Sequence, residues 1–352
     1  MNCKARYFKY ILHFKKASGT SRGILTEKET WFLVLEQGGK KGIGECAILR
    51  GLSVDDRPDY EEKLKWVCQD IALGKDYLLN NLQDFPSIQF GVETAFLSLE
   101  STNTFELFPS NFTKNTDSIN INGLVWMGDK SFMQDQIEEK LEQGFSCIKL
   151  KIGAIHFEKE LALVEFIRNK FSSDIIEIRV DANGAFTTTE ALDKLTILSQ
   201  YQLHSIEQPI KAGNAIAMQK LCSVSPLPIA LDEELIGVFT KEQKENLLQT
   251  INPQYIILKP SLVGGFAGTS QWITLAEQYK IGWWITSALE SNIGLNAIAQ
   301  FTYLQNNKMP QGLGTGALYT NNINSPLEVH NGKLWYTQND WQDFSNFIDS
   351  IT

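Results

Sequence analysis

Five charged residues recur at nearly one interval: Lys151, Asp181, Glu207, Asp232 and Lys259 lie 30, 26, 25 and 27 residues apart. Each falls at the end of a short apolar run, at residues 147–152, 176–181, 204–207, 229–232 and 255–259, and a sixth run follows at 283–287. The segments between are amphipathic. Phe157, Leu161, Val164 and Ile167 keep helical spacing, while Thr187 with Glu190 and Thr240 with Gln243 have the form of capping boxes. Strands alternating with helices predict parallel βαβ units, and each interval is about one such unit long. In a closed (β/α) barrel the C-terminal strand ends converge on one mouth, so three acids and two lysines would meet there.

The first part of the chain follows another pattern. Residues 5–14, 30–36 and 43–47 read as antiparallel strands with a turn at Gly38-Gly39, and helical periodicity follows at 60–73 and 88–99. Polar residues 110–118 mark a boundary. Asn331-Gly332 suggests a tight hairpin in the tail, placed by this reading on the first domain's sheet. The expected division is an α+β domain over 1–115, joined by about 320–352, and a catalytic barrel over 116–319.

Composition narrows the partners. A net charge of -9 offers no electrostatic footprint for nucleic acid or an anionic membrane, which leaves a small-molecule partner and an undetermined oligomeric state. No run reaches the roughly 18 apolar residues of a membrane span, and no signal-peptide core follows the N-terminus. Five scattered cysteines with no Cys-x-x-Cys pair fit a reducing compartment, so the expected location is the cytoplasm.

Strand alternation sets which groups face inward. Lys149 and Lys151 share one face while Ile148, Leu150 and Ile152 take the other; Arg179, Asp181 and Asn183 group together, and Asp232 is preferred over its neighbour Glu233. Two like charges about 4 Å apart cost on the order of 4 kcal/mol at an effective dielectric of 20, so three adjacent carboxylates need a cation. Oxygen donors without His or Cys favour Mg²⁺, with Mn²⁺ able to substitute, and disfavour zinc. A dication beside lysines suits removal of a proton next to a carboxylate, with charge developing on the carboxylate oxygens as an enediolate. Lys149 and the dication both disfavour a charged Lys151, which would bring it from about 10.4 towards a working base.

These motifs resemble those of the muconate-cycloisomerase group of the enolase superfamily. Lys149-Leu150-Lys151 is similar to its Lys-x-Lys, Val180–Asn183, Ile206–Pro209 and Ala230–Glu233 to its three metal-ligand motifs, and Leu258–Pro260 to its second catalytic lysine. A Lys or His base with Mg²⁺ is also a general pattern of enolase-superfamily sites. The resemblance implies a modified (β/α)8-type barrel of the (β/α)7β kind with an N-terminal capping domain completed by the tail. It implies catalytic roles for Lys151, Lys259 and Lys149, and metal ligation by Asp181, Glu207 and Asp232. Residues 286–295 resemble the seventh-strand segment of the o-succinylbenzoate synthases, which helps hold the substrate's carboxylates; Ser287, Leu289 and Asn183 are the expected substrate contacts, with Arg22 of the 18–23 loop closing over them. The implied reaction is dehydration of a succinyl-hydroxycyclohexadiene carboxylate in menaquinone biosynthesis.

Two readings compete with it: an N-succinylamino acid racemase or dipeptide epimerase on the same scaffold, and a non-catalytic metabolite-binding barrel. Gly312–Gly316 stands where dipeptide epimerases carry Asp-x-Asp, and reads first as a tight turn. Residues 48–51 replace the group's usual proline-rich turn. Gly42 and Gly44 read as hairpin turns, the four histidines have no metal spacing, and the tryptophans are expected in the core.

Overall fold

The computed structural model describes residues 3–20, 23–343 and 347–348. Its N-terminal layer is an antiparallel sheet of β1 (Lys4–Thr20), β2 (Gly23–Gln37) and β3 (Lys40–Cys46), covered by α1 (Tyr60–Gln69), α2 (Lys75–Asn80) and α3 (Pro86–Glu100). The run Trp31–Leu35 of β2 is buried on both faces. Trp31, Leu33 and Leu35 pack under the helices with Val92, Ala95, Phe96 and Leu99. Phe32 and Val34 take the opposite face, against Ile293 and the tail residues Phe347 and Ile348.

Gly42 and Gly44 are strand residues of β3 and not turns, which corrects the sequence reading. A Cβ at Gly42 would lie 2.5 Å from the Ala95 carbonyl oxygen, and one at Gly44 would run into the Gly91 carbonyl. The pair lets α3 seat directly on the sheet. The turn itself is Gly38-Gly39, both with positive φ.

The barrel strands are parallel and in chain order. After β4 (Ile119–Asn120), which belongs to a separate small sheet, they run β5 (Gly123–Val125), α4 (Lys130–Glu142), β6 (Cys147–Lys151), α5 (Phe157–Lys170), β7 (Glu177–Asp181), α6 (Ala191–Ser199), β8 (Ser205–Glu207), α7 (Ala215–Val224), β9 (Ile229–Leu231), α8 (Lys241–Ile251), β10 (Tyr255–Leu258), α9 (Gly265–Gln278), β11 (Gly282–Ile285) and α10 (Asn292–Leu304). The ring closes through 311–312: Gly312 bridges Thr286 beside β11, and Gln311 bridges Ile121 just before β5, both parallel. Seven strand–helix units followed by one bare strand position make the fold a (β/α)7β barrel.

Ile148, Leu150 and Ile152 are buried beneath the helices, so the opposite face of β6 points Lys149 and Lys151 inward. Thr240 forms the expected reciprocal box with Gln243, which fixes the start of α8. Lower in the barrel, the Arg179 guanidinium lies 4.1 Å over the Trp284 ring.

The tail departs from its expected place. β12 (Leu327–His330) and β13 (Lys333–Tyr336) form the hairpin, with Asn331 and Gly332 both at positive φ, but β13 pairs with β4 and not with the N-terminal sheet. The tail still meets the N-terminal sheet ahead of this hairpin: Tyr319 bridges Phe14 of β1 antiparallel, Thr320 N donates to the His13 carbonyl at 2.9 Å and Asn321 Nδ2 to the Ile11 carbonyl at 2.7 Å, while further on Phe347 packs edge-on against Phe32. No helix among the described residues is long and apolar enough to cross a membrane.

Candidate active site

The parallel ladder places the acids side by side. Lys151 pairs in register with Asp181 and Asp181 with Glu207, while Asp232 follows the last residue of β9. The Lys149 ammonium bonds Glu207 and lies 3.0 Å from Asp181 Oδ2. Lys151 Nζ donates to Asp181 Oδ2 at 2.9 Å and to Asn183 Oδ1 at 2.7 Å. Across the mouth, Lys259 bonds Asp232 and stands 4.0 Å from Glu207 Oε1. All six groups are nearly buried.

Burial alone would favour the neutral form of Lys149, Lys259, Asp181 and Glu207, and the neighbouring charges decide the outcome. Burial depresses Lys149, but Asp181, Glu207 and Asp232 outweigh it and hold the lysine above its ordinary value. Lys259 is raised in the same way by Asp232, Glu207 and Glu233. Asp181 is held far below the usual carboxylate range because Lys149, Lys151 and Lys259 overcome its burial. Glu207 goes the other way: burial and the adjacent Asp181 push it well up.

The donor set fits a hard cation. Three carboxylates come from successive strand ends, no His or Cys joins them, and Glu207 Oε1 is buried with no hydrogen-bond partner among the described residues. Among those residues no three His, Cys, Asp or Glu side chains form a finished metal cage. Lys149 and Lys259 lie between the acids and supply the positive charge there.

Lys149, Lys151, Asp181, Asn183 and Lys259 line one pocket with Ser287 and Leu289. The expected site residues thus come together, except Arg22, which lies outside the described residues. Ser287 and Leu289 line the pocket from a turn that is held by its own hydrogen bonds. The Ser287 hydroxyl donates to Glu290 Oε2 at 2.7 Å, Ala288 N donates to the same oxygen at 2.7 Å, and Leu289 N donates to Ser287 Oγ at 3.0 Å. The donors of this turn are used within the protein, so it presents a wall. Leu289 has φ 68, a left-handed conformation rare for a branched residue.

Two family models match the chain: one described as Enolase C-terminal domain-like over residues 133–339, and one described as MenC, N-terminal domain, over residues 2–99. The o-succinylbenzoate synthase of Desulfotalea psychrophila is 48% identical, the match covering 93% of this chain and 97% of that protein. The chain belongs to the o-succinylbenzoate synthase family. A crystal structure of MenC from the same organism superposes with a TM-score of 0.85 at 44% identity, covering 95% of this chain and 100% of that one. The L-Ala-D/L-Glu epimerase of Bacillus subtilis is more distant, 26% identical over 81% of this chain and 80% of its own. As an enolase-superfamily member, the chain is one of a group of divalent-metal enzymes.

Several residues of this o-succinylbenzoate synthase family site carry no local signal. Leu25, Leu49 and Leu52 of the capping domain and Trp126 after β5 form apolar walls. Only the unusual 48–51 segment hints at one of them, Leu49. Glu233 enters too, its Oε1 accepting from Asn183 Nδ2 at 3.0 Å. β9 ends at Leu231 and a 3₁₀ turn begins after Asp232, so strand alternation no longer separates the two acids. Glu160, on α5, accepts from the amides of Gly153, Ala154 and Ile155 at 2.7 to 3.3 Å and pins the loop that follows Lys151. Gly312–Gly316 is no free cradle: residue 312 closes the barrel and Thr315 Oγ1 meets Ser287 Oγ at 2.8 Å.

Proposed function

We propose that this pocket dehydrates 2-succinyl-6-hydroxy-2,4-cyclohexadiene-1-carboxylate to o-succinylbenzoate, a carbon–oxygen lyase step of menaquinone biosynthesis. The observation that carries the reading is the convergence of two lysines from opposite sides of the mouth on one pocket beside three acids.

Asp181, Glu207 and Asp232 are the residues to hold a divalent cation, Mg²⁺ before Mn²⁺. When bound, it supplies positive charge where the substrate carboxylate becomes electron-rich. Neutral Lys151 takes the proton α to that carboxylate; the electron pair left behind expels the ring hydroxyl, which takes the proton from the Lys151 ammonium and leaves as water. The ring becomes aromatic, and Lys151 ends as it began. Lys259 faces the ring as a cation over its π-face, while Lys149 holds Asp181 and Glu207 in place. Asn183 orients Lys151 through the 2.7 Å hydrogen bond and also contacts substrate. Leu289 and Ser287 shape the pocket wall.

In this reading residues 1–115 with 320–352 cover the site and 116–319 carry the chemistry. The protein works in the cytoplasm, where its five free cysteines stay reduced.

Lysines on both sides of the pocket also suit proton transfer at either face of an N-succinylamino acid, which makes racemisation the second reading. Purified protein with Mg²⁺ tests both. Loss of the cyclohexadiene absorbance that chelator abolishes is expected; racemisation of N-succinylamino acids with no dehydration would replace the first reading by the second.

A further inference from the structure

The interface between cap and barrel buries a second group of charges outside the reaction just described. Lys28 of β2 and Glu45 of β3 enter it from the cap, and Glu290 from the turn after β11; each is almost wholly buried. Glu45 accepts from the Thr30 hydroxyl at 2.7 Å, from the hydroxyl and amide of Ser291, and from Gly294 N at 2.9 Å. Glu290 accepts from the hydroxyls of Ser261 and Ser287 and from Ala288 N. Lys28 Nζ stands 3.9 Å from Glu45 Oε1 and has no hydrogen-bond partner among the described residues. A buried ammonium without such a bond is expensive. Burial pulls Lys28 below its ordinary value, against the raising pull of Glu45, Glu290 and Glu29.

Glu290 reaches the pocket through the turn it caps. The turn's donors converge on its carboxylate or on Ser287, and the Tyr319 hydroxyl donates to the Leu289 carbonyl at 2.8 Å. Leu289 then packs with Leu12, Phe14, Leu49 and Tyr319, so cap and turn share one apolar cluster at the pocket's edge. Without Lys28, two buried carboxyl side chains would remain between the domains with no basic side chain beside them.

We propose that Lys28 and Glu290 are positioning residues for substrate binding: Lys28, entering from the cap, stands against Glu45, which grips Ser291 and Gly294 at the end of the turn, and the Glu290 carboxyl holds Ser287–Leu289 as the apolar wall for the hydrocarbon part of the substrate. The proposal rests on the dehydratase reading for its substrate, but the strut itself is tested separately.

Lys28→Met, Lys28→Arg and Glu290→Gln are compared with wild type by hydrogen exchange and steady-state dehydration. In K28M, exchange over 286–291 should quicken about tenfold while 147–151 stays unchanged, KM should rise about tenfold with kcat held within about threefold, and K28R should restore both. Should K28M not fold, E290Q carries the same test with smaller shifts in the same direction. Unchanged exchange at 286–291 in a folded variant overturns the strut. Faster exchange with KM unmoved, or a fall in kcat that tracks lost stability, overturns its role in substrate positioning. A wild-type protein that shows no dehydration overturns the functional reading alone, since the exchange data do not depend on it.

Discussion

Along β6 to β9 the mouth is held by residues close to it in the chain, whereas along β10 and β11 it is held by the capping domain. On the first side Glu160 ties down the loop after Lys151, seven residues or fewer away. Gln208 Oε1 accepts from the amides of Asp232 and Glu234, and its Nε2 donates to Ile210 O at 3.0 Å. On the second side two glutamates of the cap reach helix N-termini of the barrel. Glu93 accepts from Phe266 N and Ala267 N at the start of α9, and Glu45 from Ser291 N and Gly294 N at the start of α10. Each satisfies amides a helix cannot pair internally and places a negative charge at the positive dipole end. The acid–lysine cluster is therefore a property of the barrel, while the apolar wall of the pocket depends on how the cap is seated.

The sharpest test of this division is Lys151→Ala. Turnover should fall by about 10³-fold or more, while titration calorimetry with Mg²⁺ finds binding retained and the cap undisturbed. A loss of metal binding would mean that Lys151 organises the acids and is not the base.

Glu45→Ala comes next, because it leaves Lys28 buried with a weaker counter-charge and empties the α10 cap. Chemical denaturation should show a loss of about 3–5 kcal/mol. Substrate KM should rise with Mg²⁺ affinity kept. Equal loss of metal affinity would erase the contrast between the two sides.

A smaller effect is expected from Glu160→Gln, which keeps one acceptor oxygen but loses the charge that three amides share. Stability should drop by about 1–2 kcal/mol, and kcat should fall with KM little changed, the reverse of the Glu45 pattern.

The smallest effect is a pH dependence. Burial pushes Glu93 from 4.5 up to about 7, against the pull of the Phe266 and Ala267 amides. A raised carboxyl contributes stability that is full below about 4.5 and is lost as pH rises through about 7. Denaturation across this range should therefore show Glu93→Gln gaining on wild type as pH increases. Parallel curves would mean that Glu93 does not titrate at the α9 cap.

Legibility divides along the same line. The barrel strands, the inward lysines and the three acids are written in short-range regularities, because a period of two along a strand and a repeat of one βα unit suffice to place them. The short β5 strand and the closing pair 311–312 escaped, since two or three residues carry no periodicity. The tail hairpin was visible in Asn331-Gly332, but its partner β4 was not, because a two-residue strand has no pattern to match.

The amino-acid order alone determined the repeating strand–helix architecture and which acids and lysines gather at its mouth, since both follow from local steric periods and side-chain chemistry. Only the tertiary structure decided that Leu25, Leu49 and Leu52 roof the pocket, that Glu233 turns in beside Asp232, and that Glu45 and Glu93 brace the barrel from outside. Those contacts join residues up to 249 positions apart. Burial and charge pairing between two domains select them, and no local pattern records that pairing.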